Sequence, residues 1–110
     1  MEINIRHALG AAIVHVAGDV DMASSPALRE AALELLRDRA ESTLVINMRG
    51  VDYIDSSGVA SLIEVLREAR RQRANLRLAC LNAGPRDVLE LTRLLDLFDV
   101  RATEAEALDG

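Results

Sequence analysis

The sequence lacks lysine and is poor in cysteine and aromatic residues. Cys80 is the single cysteine, so neither an internal disulfide nor a cysteine-based zinc cluster is possible. Tyr53 and Phe98 are the only aromatic residues, too few for the stacking surfaces that bind single-stranded nucleic acid. No apolar run approaches the roughly 20 residues that span a bilayer. The first residues do not have the pattern of a signal peptide. We therefore expect a cytoplasmic protein without membrane insertion.

The charge and composition further limit the possible fold classes and partners. Thirteen basic residues, all arginine, stand against 18 acidic ones, giving a net charge of −5. An acidic chain without a basic stripe argues against nucleic acid as a partner. The 110 residues suit one compact domain, 1–110, and half of them are hydrophobic. Aliphatic side chains must fill the core, which favours a layered α/β domain.

Apolar periodicity predicts an opening hairpin followed by alternating strands and helices. Such alternation implies parallel strands joined by right-handed crossovers. We predict a mixed, mostly parallel sheet of four to five strands with about four helices. The predicted strands cover 3–8, 11–17, 44–48, 76–81 and 97–100. The predicted helices run from Ser24–Pro26 to Arg39 or Ala40, along the stripe Val59–Ala69, from Pro85 onward, and over 103–110, where Thr103 and Glu106 form a capping pair.

Two polar loops follow neighbouring strands of this predicted sheet. The loop 18–21 contains Asp19 and Asp21, and the loop 55–58 contains Asp55, Ser56 and Ser57. If the strands are parallel, both loops lie at the carboxyl edge of the sheet, where open α/β sheets usually place their sites. We therefore expect these five side chains to cluster.

The serine loop runs directly into a helix. Free backbone N–H groups and the helix dipole favour negative charge at that position. A serine hydroxyl there is either a helix cap or a site where a phosphate would find ready donors. Gly58 removes side-chain bulk and permits close approach of backbone or of a kinase. Because Ser57 lies nearer the helix, we predict that Ser57 is the cap. The residues alone do not decide which serine would accept a phosphate.

The segment from Val45 to Val59, with Asp-Ser-Ser-Gly near its end, resembles the STAS domain of bacterial anti-sigma-factor antagonists. Residues 18–21 are similar to that family's Gly-acidic-apolar-Asp loop, and residues 85–98 are similar to its late helix. Two departures are an aspartate at position 19, where glutamate is frequent, and a late helix without its usual glycine. The resemblance covers nearly the whole chain.

The resemblance implies a phosphorylation-gated interaction. The unphosphorylated protein would bind an anti-sigma factor that is also a serine kinase, and so release a sigma factor. Phosphorylation of Ser56 would abolish binding, and a PP2C-type phosphatase would reverse it. The expected contact surface spans residues 19–25 and 55–66. Its candidate partner-binding residues are Asp19, Asp21, Ser24, Asp55, Ser56, Ser57, Gly58 and Leu62.

Two other functions remain open. A STAS domain can be a scaffold or regulatory subunit of a stress-signalling or lipid-transport ABC complex, without a phosphoserine switch. The alternative of an enzyme with Ser56 as nucleophile is disfavoured, because His7 and His15 have no evident acidic partner and no Gly-x-Ser-x-Gly element occurs. No phosphate-binding loop is present, so we expect no nucleotide hydrolysis. We predict no catalytic residue, metal or cofactor. Cys80 is interpreted as a small buried hydrophobic residue.

Overall fold

The computed structural model of the protein describes residues 1–39 and 41–109. Within these ranges the chain forms one five-stranded sheet, four α-helices and a short 3-10 helix. The elements are β1 (Glu2–Ala8), β2 (Ala11–Ala17), α1 (Ser25–Asp38), β3 (Thr43–Gly50), α2 (Ser56–Arg71), β4 (Asn75–Ala79), α3 (Ala83–Leu91), the 3-10 helix (Leu95–Leu97), β5 (Asp99–Arg101) and α4 (Glu104–Leu108). The prediction of a mixed α/β fold is confirmed.

The opening hairpin joins β1 to β2 through a two-residue turn. Ala8 pairs with Ala11 across the turn, and the pairing continues to Glu2 opposite Ala17. Leu9 and Gly10 both have positive φ angles, 53° and 76°. This is the backbone geometry of a type I′ turn, whose twist matches that of the flanking strands. The pairing of β1 with β2 is antiparallel, as predicted.

The remaining strands are parallel, and their spatial order follows the chain, β1-β2-β3-β4-β5. Each parallel step is spanned by an α-helix, and in the last step the 3-10 helix follows α3 before β5. The five central residues of β3, Leu44 to Met48, are all buried, as expected for a strand covered on both faces. The carboxyl ends of β2 and β3 therefore lie side by side, and the loops that leave them share one edge of the sheet.

The two faces of the sheet are covered unequally. The larger core lies between the sheet and α1, α2 and α3, and includes Val14, Ile46, Leu62 and Leu89, all fully buried. On the other face, Ala107 of the short helix α4 packs on a smaller cluster that includes Ile13 and Val45. Successive side chains of a strand point to opposite faces, which is why neighbouring residues of β2 belong to different clusters.

Several strands and helices begin or end at other residues than predicted. The last strand begins at Asp99 rather than at residue 97, because residues 95–97 form the 3-10 helix. Strand β4 ends at Ala79, and α3 begins at Ala83 with Pro85 in its first turn. The predicted cap of the last helix is confirmed: Thr103 Oγ1 accepts a hydrogen bond from Glu106 N at 3.1 Å. Ala40 and Gly110, included in two predicted helices, lie outside the described residues.

Candidate functional site

The two polar loops are joined by backbone hydrogen bonds. Val20 forms a parallel bridge with Ile54. Val20 N donates to Tyr53 O at 3.0 Å, and Asp55 N donates to Val20 O at 3.1 Å. These bonds extend the parallel pairing of β2 and β3 beyond the strands. The prediction that the loops 18–21 and 55–58 meet at the carboxyl edge of the sheet is confirmed.

Gly58 permits this close approach. A Cβ at position 58 would lie 2.5 Å from Ile54 Cγ1 and 2.8 Å from both Val20 Cγ1 and Val20 O. Because the side chains of Val20 and Ile54 are buried, neither has space to move aside. The first turn of α2 therefore packs directly on the backbone of the loop 18–21, which fixes the start of the helix relative to that loop.

Asp55, rather than Ser57, caps α2. Asp55 Oδ1 accepts a hydrogen bond from Gly58 N at 3.1 Å, and Asp55 has the extended backbone typical of a capping residue. The prediction that Ser57 is the cap is wrong, because the helix begins at Ser56, two residues earlier than a cap at Ser57 would require. Among the described residues, the amides of Ser56 and Ser57 have no hydrogen-bond partner. Two donors at the positive end of the helix are thus left open.

The two serines differ in exposure. Ser56 is exposed, whereas Ser57 is half-buried. As the first residue of α2, Ser56 is held by the capped turn that follows it. Ser56 is therefore an exposed residue on a well-defined backbone.

Asp21 organises the first loop. Asp21 Oδ1 accepts hydrogen bonds from Ala23 N, Ser24 N and Ser24 Oγ, each at 3.0 Å. Ser24 Oγ also lies 2.7 Å from Asp19 O, to which it can donate instead. Ser24 is the N-cap residue of α1, but its side chain makes no capping hydrogen bond, because that hydroxyl bonds within the loop. The hydrogen bonds from Ser24 hold the pKa of Asp21 below its ordinary value.

The lowered pKa of Asp21 predicts a pH dependence of stability. Because the folded state favours the ionised carboxylate, its stabilising contribution is present above the unfolded pKa of about 4 and is lost as the pH falls. We expect Asp21→Asn to be less stable than wild type near pH 7, with the difference closing as the pH falls through the lowered pKa of Asp21. Chemical denaturation at several pH values measures this. Asp19→Asn is the control, since no hydrogen bond reaches that carboxylate within the described residues. A difference that stays constant with pH contradicts the prediction.

Leu62 was predicted to contact a partner, but the structure buries it completely in the larger core. Because one face of α2 packs on the sheet, Leu62 supports the helix from inside. We expect Leu62→Ala to lower the free energy of unfolding by about 3 kcal/mol and to leave the partner affinity of the folded fraction unchanged. Denaturant unfolding and calorimetric titration separate the two effects. Arg67→Ala, an exposed change on the same helix, is the control and should change stability by less than about 0.5 kcal/mol. A weakened affinity with unchanged stability would restore Leu62 as a contact residue.

Three further residues of this region were not among the predicted partner-binding residues. Met22 and Tyr53, which lie beside the loops 18–21 and 55–58, are 76% and 53% exposed. Apolar residues within polar loops are the signal that could have identified them. Asn82 Nδ2, at the start of α3, donates to Arg49 O at 2.7 Å and to Val51 O at 2.9 Å. Asn82 thus anchors the segment that leads from β3 to the serine loop.

The histidines and Cys80 also differ from expectation. His15 Nε2 lies 3.2 Å from Glu104 Oε1, and His7 Nδ1 lies 3.5 Å from Glu41 Oε1. The statement that neither histidine has an acidic partner is therefore wrong. The pKa of Glu104 is lowered: burial opposes the shift, but hydrogen bonds from Asn47 and Arg6 outweigh it. Cys80 is half-buried rather than buried.

Within residues 1–39 and 41–109, no group of three or more His, Cys, Asp and Glu side chains is arranged to hold a metal ion. No helix in the same part of the chain combines the length and the apolar character needed to cross a membrane.

Known proteins of similar sequence and of similar fold were identified. The anti-sigma-B factor antagonist of Bacillus subtilis is 30% identical over 89 residues, which cover 81% of this chain and 80% of that protein. An anti-sigma factor antagonist from Mycobacterium paratuberculosis superposes with a TM-score of 0.87 at 24% identity, covering 97% of this chain and 90% of its own. Bacillus SpoIIAA in its phosphorylated form superposes with a TM-score of 0.75 at 21% identity, covering 98% and 97%.

The family profile of the STAS domain matches residues 2–107, nearly the whole chain. Its fold, with parallel strands after an opening hairpin and the two loops joined at one edge, is the fold of those solved relatives. The chain belongs to the STAS domain family and is similar to its anti-sigma factor antagonists.

Proposed function

We propose that this protein is an anti-sigma-factor antagonist controlled by phosphorylation of Ser56. Unphosphorylated, it binds an anti-sigma factor that is also a serine kinase, and a sigma factor is released. Phosphorylation of Ser56 ends the binding, and a PP2C-type phosphatase regenerates the active form. The curated relative from Bacillus subtilis, an anti-sigma-B factor antagonist, supports the general role.

The observation that carries the proposal is the presentation of Ser56. Ser56 is exposed at the first residue of α2, while Asp55 caps the helix and Gly58 packs it on the other loop. A kinase needs an accessible hydroxyl on a backbone that it can approach, and Ser56 meets both conditions. Ser57 is half-buried, which favours Ser56 as the phosphoacceptor.

The surface around Ser56 suits a protein partner. Met22 and Tyr53 provide exposed apolar area on either side of the bridge between the loops. Asp19 and Asp52 are exposed close to them in sequence. We infer that the partner surface combines an apolar centre with basic residues at its rim. Of the residues predicted to bind the partner, Asp19, Ser56 and Ser57 belong to the contact.

The other predicted residues support that contact from behind. Asp21 and Ser24 shape the first loop, and Asp55 and Gly58 set the start of α2. These roles follow from hydrogen bonds and packing, so substitutions at these positions act on the partner through the shape of the loops.

A phosphate on Ser56 changes the surface without disrupting the fold. It adds roughly two negative charges beside the open amides of Ser56 and Ser57, which favour an anion. The partner surface, arranged for a neutral hydroxyl, then meets a charge that must lose its water on binding. The Bacillus relative SpoIIAA has been solved in its phosphorylated form, which supports the compatibility of phosphate with this fold.

Transcription in vitro tests the proposal. RNA polymerase, the sigma factor and the anti-sigma kinase of the same genome are combined with ADP, and this protein is added. We expect restored sigma-dependent transcription that ATP abolishes and a PP2C-type phosphatase recovers. Ser56→Ala should restore transcription with either nucleotide. If neither form restores transcription, the chain is a scaffold or regulatory subunit, and the antagonist role is wrong.

A further inference from the structure

Strand β1 leaves one edge of the sheet unpaired. It is the first strand in the spatial order, and within the described residues only β2 pairs with it. Five of its seven residues are exposed, including Ile5 at 47%. A long edge strand with open backbone groups is a template for pairing with another strand.

The hairpin determines which backbone groups are open. In a two-residue hairpin, the pair that closes the turn exchanges both hydrogen bonds, and this pattern repeats at every second residue. Here the closing pair is Ala8 with Ala11. The even-numbered residues of β1 therefore bond to β2. Ile3, Ile5 and His7 direct their N–H and C=O groups to the open edge.

The side chains of β1 match those of a second copy in one antiparallel register. With the two-fold axis at Asn4, Glu2 lies opposite Arg6 of the other copy, and Ile3 lies opposite Ile5. This register also pairs open backbone groups with open backbone groups. Antiparallel registers centred on Ile3 or Ile5 place neither Glu2 nor Arg6 opposite a charged residue. A parallel in-register pairing places each charged residue opposite the same charge of the other copy. Opposite charges and apolar pairs directly across strands are stabilising, and like charges are destabilising.

We propose that β1 pairs with β1 of a second copy of this chain in the register centred on Asn4, forming a continuous ten-stranded sheet. The exposed Ile5 is covered by Ile3 of the other copy. Arg6 also contacts Glu104 of its own chain, and its planar guanidinium has five donors, enough for both carboxylates. A single strand pair buries little surface, so the dimer is weak and forms with concentration. This proposal is independent of the proposed function.

Sedimentation equilibrium from about 10 µM to about 1 mM, a range suited to a small interface, tests the association. We expect the average mass to rise from 12.0 kDa toward twice that value. Glu2→Arg or Arg6→Glu places like charges opposite each other twice per dimer and should weaken association about tenfold or more. The double variant Glu2→Arg/Arg6→Glu reverses both charges and should restore association. Glu34→Arg, exposed on α1, is the control and should not change it.

Amide hydrogen exchange on wild-type protein gives a readout that needs no substitution. The amides of Ile3 and Ile5 should become more protected as concentration rises, whereas those of Asn4 and Arg6 are protected at all concentrations. A mass that stays monomeric to 1 mM contradicts the proposal. So does a double charge variant as weak as the single variants, or concentration-dependent protection on another element.

Discussion

Ser56→Asp is expected to lower the affinity for the anti-sigma kinase by more than about a hundredfold, equivalent to about 3 kcal/mol. In the proposed complex the carboxylate takes the place of the Ser56 hydroxyl at the contact with the partner, and it must lose its hydration when the surfaces meet. It also adds to the negative charge of Asp19 and Asp55 nearby. Ser56→Ala removes only a hydroxyl and should bind with wild-type affinity. Unlike wild type, it should bind equally well with ADP and with ATP.

Calorimetric titration of each variant with the purified kinase measures these affinities. Ala105→Asp adds the same charge at an exposed position of α4, on the opposite face of the sheet, and serves as the control. It should bind like wild type. If Ser56→Asp and Ser56→Ala both bind like wild type, Ser56 is not the switch. If Ala105→Asp is weakened as much as Ser56→Asp, the effect is one of net charge rather than of the site.

Gly58→Ala is expected to destabilise the protein by about 2–3 kcal/mol, in the range of overpacked cores. In an ordinary helix this change would stabilise by up to about 1 kcal/mol, because alanine is the better helix former. Here the added methyl would lie 2.5 Å from Ile54 Cγ1 and 2.8 Å from Val20 O. The backbone of one loop or the other must therefore shift. We expect partner binding to weaken as well, since the shift displaces Ser56.

Denaturant unfolding measures the change in stability, and Ser57→Ala is the control in the same turn. Ser57 is half-buried and makes no side-chain hydrogen bond within the described residues. Its replacement should change the free energy of unfolding by less than about 0.5 kcal/mol. A Gly58→Ala protein as stable as wild type, or more stable, would mean that the loops are not packed as closely as described.

Much of the fold could be predicted because local patterns and topology rules agree. Gly10, between the weakly alternating residues 3–8 and the β-rich run 11–17, predicted the hairpin, and the apolar run Leu44–Met48 predicted a buried strand. Because the strands were predicted to be parallel, geometry alone predicted that the two polar loops meet. The bridge between Val20 and Ile54 is the direct consequence.

The errors arose where several residues could fill one role. Aspartate and serine are both good helix caps, so the sequence does not decide between Asp55 and Ser57. Which of the two residues caps the helix depends on the residue at which the loop after β3 ends and α2 begins. The apolar stripe of α2 predicted the helix but did not show which of its residues are buried in the core. Leu62 is one of these buried residues. The contact of His15 with Glu104 requires α4 to fold back over the second face of the sheet, which no local pattern predicts.

Incubation with the anti-sigma kinase and ATP, followed by mass spectrometry of peptides, tests the central claim most directly. The proposal predicts one phosphate per chain, located on Ser56 and absent from Ser56→Ala under the same conditions. Phosphate on Ser57, or an unmodified Ser56 while the kinase phosphorylates another of its antagonists, would contradict it.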